Sequence, residues 1–92
     1  MARVRYSRRA AAELEEITAF LAEHGQQMAL QFQDRIRRAE RQLAEFPNSG
    51  PAGSRPGTRR LVVGDYIVSY RRRGEDVEIF AVRHARRRDA RF

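Results

Sequence analysis

The stretch "TRRLVVGDYIVSYRRRGEDVEIFAVRH" (58–84) decides the fold. It holds three apolar alternations, broken by Gly64-Asp65 and Gly74-Glu75, where two-residue hairpin turns need a residue that tolerates positive φ. Residues 58–64 set Arg60 and Val62 against Arg59, Leu61 and Val63. Residues 65–73 place Tyr66, Val68 and Tyr70 on one face, with Ile67, Ser69 and Arg71 on the other. Strict alternation over 76–84 sets Val77, Ile79, Ala81 and Arg83 against Phe80, Val82 and His84. This last segment is apolar on both faces between Ile79 and Val82, which predicts a central strand. The reading is an antiparallel meander of three strands.

Toward the N-terminus, "RVRYS" (3–7) predicts a short strand with Val4 and Tyr6 inward, and Ser7 is a helix N-cap residue. Ala10, Leu14, Ile17 and Leu21 follow at helical spacing, with Phe20 widening the stripe and Glu13, Glu15, Glu16 and Glu23 mostly off it. Gly25 is expected to end this helix in a left-handed conformation. In the next helix Ala29, Phe32, Ile36, Ala39, Leu43 and Phe46 recur with 3-4-3-4-3 spacing, close to a heptad seam. A coiled-coil dimer would use such a seam, but over so short a helix it reads as a core-facing stripe. The "HGQQ" link predicts an antiparallel helical hairpin. Pro47 stops the second helix, and residues 47–57, rich in Pro, Gly and Ser, form a surface loop.

The predicted order is β-α-α-β-β-β, an α+β fold with the helical hairpin on one face of the meander. The other face, with arginines, tyrosines and Ser69 and with Phe80 and Val82 near its floor, is a candidate groove.

Composition narrows the function. Ninety-two residues suit one domain, 1–92, that buries only about two-thirds of its unfolded surface. The absence of cysteine excludes disulfides, a thiolate nucleophile and cysteine-built zinc sites. His24 and His84 lack metal-ligand spacing, so neither a metal nor another cofactor is expected. No stretch of about 20 apolar residues exists to cross a membrane, and a cytoplasmic location is the expectation. All nineteen basic residues are arginine. Residues 1–54 carry eight of them against seven acids, and residues 55–92 carry eleven against five, so most of the net +7 lies in the second part. That asymmetry suits an anionic partner, either nucleic acid or an acidic protein surface, although a solvated basic face has the same composition.

The element order, "GDYIVSYR" (64–71) and "VEIFAVRHARR" (77–87) together resemble the RelE/ParE superfamily of type II toxin–antitoxin systems, over essentially the whole chain. The resemblance implies a toxin, of the kind associated with plasmid stabilisation, held in a hetero-oligomer by a cognate ParD-like antitoxin. RelE-like members cut mRNA on the ribosome; ParE-like members inhibit DNA gyrase by binding. Ribosome-dependent members commonly carry an arginine in the strand where this chain has Ile67. RNA cleavage needs a base, an acid and a cation for the developing phosphate charge, and isoleucine supplies none of them. The ParE branch is the closer likeness.

Under the ParE reading there is no catalytic set, and the target-facing residues are Arg71, Arg83, His84, Arg86, Arg87 and Arg88. Under the RelE alternative, Arg60, Arg83 and His84 would serve the ribosome and mRNA. His84 without a partner carboxylate is read first as the end of a central strand, hydrogen-bonded to nearby backbone. Tyr66 and Tyr70 suit either base stacking or core packing. Phe20, Met28 and Leu30, at the rim of the hairpin, are candidates for receiving the antitoxin.

Overall fold

The structure, a computed structural model, describes residues 1–86. Six elements follow the predicted order: β1 (Val4–Tyr6), α1 (Arg8–His24), α2 (Gln26–Glu45), β2 (Thr58–Val63), β3 (Tyr66–Arg73) and β4 (Asp76–His84). Gly64 and Gly74 adopt φ of 61° and 64° at the two hairpin turns, as the meander requires. The sheet order is β1-β4-β3-β2. β1 pairs parallel with β4, Val4 opposite Val77 and Tyr6 opposite Ile79, which makes β4 a central strand.

Ser7 caps α1, its Oγ accepting the Ala10 N–H at 3.0 Å. The link between the helices is tighter than "HGQQ": Gly25 alone separates them. Its φ of 163° and ψ of 131° are extended rather than left-handed, because α2 begins at once and the chain must turn outward to start it. Phe46 lies beyond the last residue of α2 and is 61% exposed, so the inward stripe ends at Leu43. Ala29, Phe32, Ile36, Ala39 and Leu43 are buried, together with Ala10 and Leu21 of α1. They meet Val68 and Tyr70 of β3 and Val77, Ile79 and Val82 of β4 in one core.

Strict alternation fails in β4. Ser69 pairs with Ala81 but Tyr70 pairs with Ile79, so Phe80 is an extra residue, a β-bulge. The extra residue shifts the phase of everything after it. Val82 and His84 consequently share the helix-covered face with Val77 and Ile79, and Ala81 and Arg83 fall on the other face. The predicted groove is corrected accordingly: Tyr66, Tyr70 and Val82 are buried under the helices, and Phe80 remains on the opposite face beside Arg71. Tyr70 is fully buried and Tyr66 is core, which leaves neither ring to stack on a base.

Candidate functional site

β1 stops at Tyr6 and pairs only with Val77–Ile79, so the far half of β4 has an open edge. The start of α1 fills it. Ser7 N–H donates to the Ile79 carbonyl at 2.9 Å, and Ser7 Oγ donates to the Phe80 carbonyl at 3.4 Å. Six residues further along the chain, Glu13 Oε1 accepts the Val82 N–H at 2.9 Å. The N-cap residue Ser7 and one side chain of α1 thus do the work of a neighbouring strand, leaving few orphan polar groups.

Glu13 Oε2 also lies 2.8 Å from Arg83 Nε and 3.3 Å from Arg9 Nε. The Arg83 and Glu13 side chains are only 19% and 14% exposed, so solvent screens this ion pair weakly. Arg83 is in register with Ile67 and sits at the free edge, from which its Nε reaches α1.

Between α1 and the end of β4 opens a cleft of about 490 Å3, lined by Glu13, Glu16, Ile17, Phe20, Tyr66, Val82, Arg83 and His84. His84 Nδ1 accepts the Arg86 N–H at 3.2 Å, which places the ring proton of the neutral imidazole on Nε2. The His84 ring meets Tyr66 edge-on, centroids 5.3 Å apart. Its surroundings are those of a strand-end residue that organises the following turn.

The residues expected at the site are only partly brought together. Arg83 and His84 share the cleft, and Arg86 follows them in the turn. Arg71 stands apart, four residues along β3 from the partner of Arg83, or about 14 Å at a strand's rise; it pairs with Glu78 at 3.0 Å. Arg60 is in register with Ser69, on the face opposite His84. The alternative set Arg60, Arg83 and His84 therefore does not converge on one phosphate-sized position. Arg87 and Arg88 lie outside the described residues. Among the described residues, no three His, Asp or Glu side chains gather as a metal site, and no helix is long and apolar enough to span a membrane.

Phe20 is 54% exposed and lines the cleft. Met28, also exposed, lines a neighbouring hollow of about 140 Å3 with Leu21, Phe32, Arg35 and Val63. Tyr66 borders both cavities and so joins Phe20 to Met28 in one apolar strip. Leu30 is exposed on α2 but lines neither.

Residues 4–89 match the family described as the ParE toxin of the type II toxin–antitoxin system parDE. The chain belongs to the ParE toxin family. It is 41% identical over 85 residues to the candidate toxin Y4kP of Sinorhizobium fredii, covering 90% of this chain and 88% of that one. Its fold is similar to a chain of the chromosomal ParDE toxin–antitoxin system from P. aeruginosa, with a TM-score of 0.74 and 24% identity, over 91% of this chain and 96% of that chain.

Two residues of this ParE-family toxin escaped the sequence reading. Glu13 counted only as an acid off the apolar stripe, yet it joins α1 to β4 and neutralises Arg83. Val62 is 70% exposed on the edge strand β2. Its signal was present, since alternation set it opposite Leu61 and Val63.

Proposed function

We propose that this ParE-family toxin inhibits DNA gyrase by direct protein contact, that residues 1–92 act as one domain, and that a cognate antitoxin neutralises it in a hetero-oligomer. The observation that carries the reading is the bulge at Phe80, which puts His84 on the opposite face of the sheet from Arg60 and Arg71. A ribonuclease of this size needs base and phosphate-holding cations around one scissile bond. This arrangement separates them, and Ile67 occupies the strand position between. Binding needs no such convergence. The target-facing residues are Arg83, His84 and Arg86 at the end of β4, with Arg87 and Arg88, which follow in the sequence outside the described residues; Arg71 is a separate, outlying contact. The antitoxin is received on the apolar strip from Phe20 to Met28, and Leu30, exposed on α2 outside both cavities, is a separate contact. The fold likeness to a chain of a toxin–antitoxin system supports that partner.

The test is a gyrase supercoiling assay with the purified full chain at micromolar concentration, beside a translation extract. Loss of supercoiling without mRNA cleavage is expected, and inhibition should weaken in His84→Ala, which removes part of the contact surface. Unaffected supercoiling, or mRNA cleavage abolished by His84→Ala, would overturn the reading.

A further inference from the structure

We propose that the Val82 N–H, Arg83 and Arg9 form an anion site that the chain fills with its own Glu13 carboxylate, keeping phosphate off the end of β4. Three groups from two elements converge on one side chain: the Val82 N–H hydrogen-bonds Oε1 at 2.9 Å, Arg9 Nε hydrogen-bonds Oε2 at 3.3 Å, and Arg83 Nε forms an ion pair with Oε2 at 2.8 Å. A backbone amide with two guanidinium groups is the donor set that elsewhere grips phosphate oxygens. The amide is available because β1 ends before it can pair with this part of β4. Arg83 is held close to α1 because its partner carboxylate is largely buried there.

Glu13 therefore acts as a resident ligand. It accepts hydrogen bonds from the Val82 N–H and Arg9 Nε and pairs by charge with Arg83, and its own charge repels any phosphate approaching the rim of the cleft. Glu16 lines the same cleft and adds to that repulsion. In a chain of net charge +7 this is a local device of selectivity: the basic segment meets partners, while the β4 end is closed to phosphate. The inference goes beyond the proposed function, since it concerns which anions the β4 end admits and not which protein it meets.

The experiment is a titration of the full chain, wild type and Glu13→Ala, with inorganic phosphate at constant ionic strength, following the NMR signals of the Val82 amide and Arg83 Nε–H. In wild type neither signal shows a saturable shift. In Glu13→Ala both shift together, with an affinity about tenfold or more above wild type from relief of like-charge repulsion. Adding Arg83→Met to Glu13→Ala removes the gain. Saturable shifts in wild type, no gain in Glu13→Ala, or a gain that survives Arg83→Met would overturn the proposal. Should Glu13→Ala not fold in chloride, recovery of the folded chain in phosphate of equal ionic strength supports it. A variant equally unfolded in both salts counts against it.

Discussion

The Tyr70 hydroxyl, fully buried, accepts a hydrogen bond from the Gly50 N–H at 2.9 Å and so fastens the loop after α2 to the core. Arg59 Nη1 holds the same loop, donating to the carbonyls of Asn48 at 3.1 Å and Gly50 at 2.8 Å. A Cβ on Gly50 would lie 2.5 Å from the Arg60 carbonyl oxygen and 2.8 Å from the Tyr70 hydroxyl. Gly50→Ala is therefore expected to cost about 1–3 kcal/mol through overpacking. Tyr70→Phe, which strands a buried N–H, should cost a similar amount, about 1–3 kcal/mol. Urea denaturation of both variants checks this. An unchanged midpoint for Gly50→Ala would show that the loop is not held as described.

Tyr6 gives stability a dependence on alkaline pH. Burial pushes its phenol well above the ordinary tyrosine range, helped by the hydrogen bond it donates to Glu40 and by that carboxylate's charge. A pKa raised in the folded state means that folding favours the protonated phenol. This contribution is complete below the unfolded value of about 10 and is lost as pH rises above it. The melting temperature of the wild type should thus fall more steeply above about pH 10 than that of Tyr6→Phe. Parallel curves for the two chains would count against the assignment.

Leu43 is fully buried at the centre of the core, and in so small a chain its loss weighs heavily. Leu43→Ala should destabilise by about 2–5 kcal/mol. Because a partner that binds only the folded state stabilises it, co-expression with the cognate antitoxin should restore folded, soluble protein. Circular dichroism of the variant alone and in complex reads both effects.

Phe20, more than half exposed at 54%, can be changed without disturbing the core. Phe20→Asp should shift unfolding stability by no more than about 0.5 kcal/mol. It should weaken antitoxin binding about tenfold or more, as removal of an aromatic anchor does. Calorimetric titration against the antitoxin decides the matter: wild-type affinity in the variant would move the binding surface away from the apolar strip.

Much of this molecule was legible in its residues. The glycines at 64 and 74 and the alternations around them specified the meander, and the 3-4 spacing from Ala29 to Leu43 specified a buried helix face. The site was less legible. Arg83 and His84 were singled out and do share a cleft, but Arg60 and Arg71 do not join them. Nothing local distinguishes Glu13 from Glu15 or Glu16. What sets it apart is a backbone amide 69 residues away.

By itself, then, the sequence determined the order of elements, the two hairpins and the central place of β4, because periodicity and turn chemistry act between near neighbours along the chain. Tertiary structure alone decided the parallel partner of β1, the phase of β4 and the faces on which His84 and the arginines stand. One additional residue, Phe80, within a strand apolar on both sides leaves alternation unchanged to the eye, and only pairing with Ser69 and Tyr70 reveals which side chains it turns inward.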